Sequence, residues 1–137
     1  MNINLIRFLD RRLGHPLVKI LSYANRLNNN EFDEIKKIAI LKFWGLGSII
    51  QSSSLLNSIR KKWPDAEIVF ITLKNNKNLY DNNKLFNKIV YFDIKNMFTV
   101  LTDSIRIIKF LRNNNSDLII DLEPLSNYTA IISYLSK

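Results

Sequence analysis

The stretch Lys37-Ile38-Ala39-Ile40-Leu41-Lys42-Phe43-Trp44-Gly45-Leu46-Gly47-Ser48 constrains the fold more than any other part of the chain. An apolar run with β-branched Ile38 and Ile40 ends in two glycines, and a helical pattern starts at once at Ser48, through Ile49, Ile50, Leu55, Leu56 and Ile59. This order predicts strand, tight loop and helix. The chain has only three glycines, so Gly45 and Gly47 together mark a sharp turn and a close backbone approach that a Cβ would obstruct. The helix would aim its unpaired N–H groups and positive dipole end back into the loop. The expectation is a Rossmann-like unit whose working edge is this loop.

The rest of the chain extends that unit. Residues 1–34 read as an amphipathic helical extension: Leu5, Ile6, Leu9 and Leu13 follow helical spacing, and Pro16 opens a second helix with Leu17, Ile20, Leu21, Ala24 and Leu27 on one face. Arg7, Arg11, Arg12, Lys19 and Arg26 surround these stripes. An in-plane membrane helix or a docking surface fits them, and so does an ordinary helix packed on its own core, which is favoured. Residues 35–137 form the Rossmann-like domain. Strands are expected at Ile38–Phe43, Glu67–Leu73, Lys88–Ile94 and Asp117–Leu122, with helices at Ser48–Trp63, Phe98–Arg112 and Ser126–Leu135. Leu101, Ile105, Ile108 and Arg112 define one register of the second helix. Asn75 to Asn87 reads as a short helix in irregular chain, anchored by Leu79, Tyr80, Leu85 and Phe86. The sum is an α/β fold with a parallel sheet covered on both faces. The last helix lacks both a capping glycine and a following strand, as if a longer protein had been cut there.

Composition narrows the chemistry. With 137 residues, 47% of them hydrophobic and 23% charged, one compact domain is the default. The absence of cysteine excludes disulfides, thiolate metal sites and thiol nucleophiles. The single histidine, His15, excludes a multi-histidine metal site and a histidine triad, and it reads as a surface or helix-boundary residue. The net charge of +8 favours anionic partners: phosphates, an anionic membrane face or nucleic acid. The basic run Arg60-Lys61-Lys62 suits a helix C-terminus, and no stacking aromatics or recognised module accompany it, so nucleic acid is disfavoured. No apolar run approaches the roughly 18 residues of a membrane span, and no signal peptide opens the chain, so a cytoplasmic location is expected.

In an open parallel sheet, ligands bind beyond the carboxyl ends of the strands, where the strand order reverses. With order 3-2-1-4 that crevice would be lined by Trp44–Ser48 on one side and Asp121–Leu125 on the other. Asp121 and Glu123, two apart, would point the same way, and Pro124 biases Glu123 towards extended geometry. They are candidate acids for proton transfer, or else a backbone-bonded strand-end carboxylate and a solvated loop acid. Ser48 is suited to capping its helix, to donating to a ligand, or to both. Lys42 either reaches the crevice or caps the strand, the second being favoured. Gly-x-Gly lacks a third glycine, and no P-loop sequence is present.

The stretch Ile38 to Gln51, followed by Leu55-Leu56-Asn57-Ser58-Ile59-Arg60-Lys61-Lys62-Trp63-Pro64-Asp65-Ala66-Glu67-Ile68, resembles the start of glycosyltransferase family 9, the heptosyltransferase-like enzymes of lipopolysaccharide core assembly. Lys88-Ile89-Val90-Tyr91-Phe92-Asp93 and Ser116-Asp117-Leu118-Ile119-Ile120-Asp121-Leu122 resemble that family's next landmarks, in order. The resemblance implies the acceptor-side, N-terminal half of a two-domain GT-B enzyme, with Trp44, Gly45, Leu46, Gly47 and Ser48 at the acceptor site. The nucleotide-sugar donor would bind mainly to a C-terminal domain, so no cofactor and no metal are expected in this half. The implied reaction is metal-independent sugar transfer, typically from ADP-heptose, to a phosphorylated or lipid-linked glycan acceptor, with an anionic membrane surface as a further partner.

Two departures bear on the chemistry. Gly47-Ser48 stands where the family usually has Gly-Asp, whose Asp is the proposed general base, and a serine hydroxyl does not take up a proton unaided near neutral pH. Asp121-Leu122-Glu123-Pro124 stands where the family commonly has Asp-Leu-Gln-Gly. Glu123, or in second place Asp121, is therefore expected to supply the missing carboxylate, and Glu123→Gln in a full-length form to abolish transfer without unfolding. A second reading is a non-catalytic Rossmann-like binding module or degenerate transferase. A third, weaker one is a basic nucleic-acid or membrane-surface protein whose affinity would fall steeply with salt.

Overall fold

A computed structural model of the chain describes residues 10, 14, 16, 18, 19, 34–79, 85–123 and 126–136. The helices expected in residues 1–34, His15, Tyr80 and Pro124 lie outside the described residues, apart from positions 10, 14, 16, 18, 19 and 34. Four strands, β1 (Lys37–Leu41), β2 (Glu67–Leu73), β3 (Lys88–Phe92) and β4 (Leu118–Asp121), form one sheet in the order β3-β2-β1-β4. All three pairings are parallel. Helix α1 (Leu46–Lys62) joins β1 to β2, α2 (Met97–Asn114) joins β3 to β4, and α3 (Asn127–Leu135) follows β4. Between β2 and β3 stands a 3-10 helix at Lys74–Leu79 where the asparagine-rich stretch begins.

Side-chain alternation sends β1 and β2 into two cores. Ile38, Ile40, Ile68 and Phe70 pack with Leu56 and Ile59 of α1. Ala39, Leu41, Val69 and Ile71 pack with Ile107 and Leu111 of α2 and Ile132 of α3. Strands buried on both faces read as continuous apolar runs, which is how β1 and β2 appear in the sequence. Phe70 stacks on Phe86 at 5.3 Å in the first core, and Phe43 on Phe92 at 5.3 Å in the second.

Three expectations are corrected. Helix α1 starts at Leu46 rather than Ser48, which shortens the loop after β1 and puts Gly47 and Ser48 in the first helical turn. Ile50, counted in the apolar stripe of α1, is exposed. The register of Leu101, Ile105 and Ile108 is only partly a core face of α2: Ile107 and Leu111 are buried and Ile108 packs against the core, while Leu101 and Ile105 face solvent. Helix α2 carries two apolar faces, and periodicity alone does not choose between them.

Loops at the sheet's amino end are tied by polar groups. Asp117 Oδ2 accepts from the backbone N–H of Lys36 (2.9 Å) and Lys37 (2.8 Å), pinning the entry of β1 beside β4. Arg60 does more than face the helix dipole. Its guanidinium donates to the carbonyls of Pro64, Ala66 and Leu85 and to Asn87 Oδ1, joining the end of α1 to the approach to β3.

Candidate functional site

The strand order reverses between β1 and β4. The chain leaves β1 for α1 on one face, and α3, after β4, packs on the other. The crevice between their loops is thus where the sequence places it. Its first lip is Lys42 to Ser48. Gly45 has φ +82° and serves as the helix N-cap without a side-chain capping bond. A Cβ there would lie 2.7 Å from Ser48 Oγ, whereas a Cβ on Gly47 would meet nothing within 4 Å. The turn therefore needs only the first glycine. Gly45→Ala is expected to destabilise the fold by about 1–3 kcal/mol through backbone strain. Gly47→Ala, inside an exposed helical turn, should stabilise it by about 0.5–1 kcal/mol. Thermal denaturation of the two variants checks both signs.

Ser48 does not cap the helix. Its hydroxyl donates backwards, to the carbonyls of Gly45 (2.9 Å) and Trp44 (3.2 Å). Trp44 is half-buried, Gly45, Gly47 and Ser48 are exposed, and Leu46 begins the helix beside them. The first turn of α1 holds no acidic residue, which leaves the positive end of its dipole uncompensated by side chains at this lip.

The second lip holds the first in place. Glu123 is buried, and its Oε1 accepts three hydrogen bonds: from the backbone N–H of Phe43 (2.6 Å) and Trp44 (2.8 Å), and from Lys42 Nζ (3.0 Å). Lys42 is also buried and donates to the Leu122 carbonyl at 3.1 Å. The favoured reading of Lys42 as a strand cap is thereby corrected, and Glu123 is not a solvated loop acid. A buried cation and a buried anion tie the two lips across 81 positions of sequence, because neither charge is tolerable in the interior without the other. Asn76 adds a third tie, its Nδ2 donating to the Phe43 carbonyl (3.0 Å) and to Thr72 Oγ1 (2.9 Å).

Asp121 ends β4, half-buried, opposite Leu41 in register. Its Oδ1 accepts from the Glu123 N–H at 3.0 Å. Burial pushes the Asp121 carboxyl above its ordinary range, and the nearby Glu123 charge adds to this. The Glu123 N–H, Thr129 and Lys42 oppose it. Beneath both lips lies a row of aromatics, Phe43 on Phe92 and Phe92 against Tyr128 at 5.9 Å. The Tyr128 hydroxyl meets Ser104 Oγ, joining α3 to α2. Its burial pushes it up to about 12, so it stays neutral at physiological pH.

The N–H groups that open α3 are met from the start of the chain. Asp10 Oδ1 accepts from Tyr128 N–H at 2.6 Å and its Oδ2 from Asn127 N–H at 3.2 Å. Ser126, the N-cap, accepts from Thr129 N–H. Sequence reasoning finds Asp121, Glu123 and the glycine loop, weighs Lys42 at the crevice without favouring it, and misses Asn76 and Asp10 as members of this edge. An unbroken Ile-Ala-Ile-Leu run leading into a lysine was the one local signal, since a lysine so deep in an apolar strand needs an acid.

Among the described residues no group of acidic or histidine side chains is arranged to hold a metal ion, and no helix is long and apolar enough to cross a membrane. No protein-family model matches the chain. A curated relative, lipopolysaccharide heptosyltransferase 1 from Campylobacter coli, is 31% identical over 101 residues, which are 74% of this chain and 29% of that protein. The crystal structure of a family 9 glycosyl transferase from Veillonella parvula superposes with a TM-score of 0.63 at 20% identity, covering 80% of this chain and 31% of that one. The chain thus spans about a third of the length of these proteins. It is similar in sequence to part of a heptosyltransferase and shares its fold with part of a family 9 glycosyl transferase.

Proposed function

We propose that this chain is the acceptor-side part of a glycosyltransferase that moves a sugar, heptose in the leading case, from a nucleotide-sugar to a phosphorylated, lipopolysaccharide-type glycan. The observation that carries the reading is the crevice itself: an open loop at an uncapped helix end, locked by a buried Lys42–Glu123 pair to the lip that bears Asp121. The identity to a heptosyltransferase supports the sugar class.

Within this reading Trp44 to Ser48 receive the acceptor, and the two carboxylates divide the work. Glu123, first choice for the base from the sequence alone, has its Oε1 taken by three donors and holds the loop in position. Asp121, whose pKa burial raises, is the better proton acceptor for an acceptor hydroxyl, since a raised pKa makes a carboxylate a stronger base. The donor nucleotide binds to a second domain outside these residues. The net charge of +8 draws phosphorylated acceptors to the crevice.

The test is transfer by the full-length gene product. Purified protein is incubated with ADP-heptose and a heptose-deficient lipopolysaccharide core, and the product is read by mass spectrometry. A mass increase of one heptose is expected. No transfer from ADP-heptose or from a panel of other nucleotide-sugars would leave the non-catalytic binding module as the reading.

A further inference from the structure

The outward face of α2 is built against the rule for a helix that covers a sheet. Its inward side chains, Ile107 and Leu111, are in the core, so the opposite face should be polar. Instead Met97, Phe98, Leu101 and Ile105 are 55%, 75%, 61% and 47% exposed. Met97, Leu101 and Ile105 recur every four residues, with Phe98 beside them, and so share one side of the helix. The stripe runs about 10–12 Å along the axis at 1.5 Å per residue. It begins at the carboxyl edge of the sheet, the edge onto which the crevice also opens, because α2 starts just after the carboxyl end of β3. Leu135 of α3, also exposed, lies near the far end of α2, where Arg112 Nε donates to the Leu135 carbonyl at 2.7 Å.

The charges around the stripe indicate what covers it. Between residues 95 and 114 stand Lys95, Arg106, Lys109 and Arg112 against the single acid Asp103, and Asp103 is already engaged by Arg106 at 3.0 Å. At the same edge Lys74 pairs with Asp93 and Lys77 is exposed. A second copy seated on this face by two-fold symmetry would press these cations against their own equivalents, which is costly where water is excluded. An anionic surface with an apolar interior satisfies both the stripe and its rim.

We propose that the Met97–Phe98–Leu101–Ile105 face of α2 seats on an anionic lipid bilayer, which brings the crevice beside the surface that carries a lipid-linked acceptor. The crevice's purpose rests on the transferase reading; the seating itself does not.

The test is co-sedimentation of the full-length protein with vesicles, without any sugar donor. Equal parts phosphatidylglycerol and phosphatidylethanolamine are compared with phosphatidylcholine alone. The wild type should bind the anionic vesicles and bind the neutral ones at least tenfold more weakly, as expected for several lysines and arginines near the surface. Phe98→Ser/Leu101→Ser should weaken anionic binding by about tenfold or more, from lost apolar burial. Lys95→Glu/Lys109→Glu should erase the lipid preference. Circular dichroism of both variants checks folding, which exposed positions leave intact. Absence of wild-type binding, which is also the result if another segment of the full-length protein covers the stripe, would overturn the proposal. So would equal binding by the serine variant, or a wild-type dimer that the serine variant dissolves. Transfer to a delipidated acceptor, measured on the same serine variant, should be unchanged, so a failed membrane seat and a failed transferase reading give different results.

Discussion

Glu123→Ala is expected to destabilise the protein by about 3–5 kcal/mol, the cost of leaving one partner of a buried ion pair unpaired. The side chains of Lys42 and Glu123 are 4% and 6% exposed, so water cannot replace the lost carboxylate. Truncation leaves the ammonium with the Leu122 carbonyl alone and strips the acceptor from Phe43 N–H and Trp44 N–H. Each unsatisfied buried donor adds its own desolvation cost. Urea denaturation measures the loss, and a shift under about 0.5 kcal/mol, the size of an ordinary surface substitution, would show that the pair does not hold the lips together. Lys42→Met/Glu123→Leu should recover part of the stability, since a well-packed apolar pair often equals a buried ionic one. Recovery stays incomplete because the two backbone N–H groups still lack an acceptor. Glu123→Gln retains an oxygen for those donors but strands the Lys42 charge. Glu123→Gln, expected from the sequence to abolish transfer without unfolding, is therefore expected to lower stability as well, and that variant alone does not identify a base.

Asp121→Asn separates chemistry from stability. Under the proposed transferase reading, transfer by the full-length protein is expected to fall about 10²–10⁴-fold, the usual range for removing a positioned general base. Stability should move the other way. The folded-state pKa of Asp121 is raised above its unfolded value, chiefly by burial. Its stabilising contribution is therefore complete below the ordinary carboxylate pKa, near ~3.9, and is lost as pH rises through the folded value. Above that, the ionised carboxylate is a net cost. Asparagine removes the cost and keeps an Oδ1 acceptor for Glu123 N–H. The variant should thus be more stable than the wild type at neutral pH, and the gain should vanish in acid. Denaturation at several pH values and a transfer assay read the two effects separately. Unimpaired transfer would remove Asp121 from the reaction.

The parts of the site that were legible are those written in short-range pattern. Strand, loop and helix from Lys37 to Lys62 follow from an apolar run, two glycines and helical spacing, and β2 matches its expected bounds at Glu67–Leu73. Asp121 and Glu123 were placed at the crevice edge because alternation and sheet topology are local and general rules. What each carboxylate touches is not legible in the sequence. Whether a carboxylate accepts a proton or clamps a loop depends on what lies across the crevice, and for Glu123 that is Lys42, Phe43 and Trp44, from the other end of the domain. Asn76 was hidden among asparagines with nothing to mark it. Helical spacing puts Leu101 and Ile105 in one register, but two apolar stripes with the same period compete on α2, and only contact with the sheet selects Ile107 and Leu111.

The amino-acid sequence by itself determined the α/β class, the parallel order of the elements and the glycine loop at the working edge, because each rests on backbone sterics and on apolar periods of two and 3.6 residues. Only the tertiary structure decided which glycine the turn requires, which face of α2 is left outside, and that Lys42 and Glu123 lock the lips. Those outcomes depend on distances between residues far apart in the chain and on the removal of water from between them, and neither quantity is carried by local sequence.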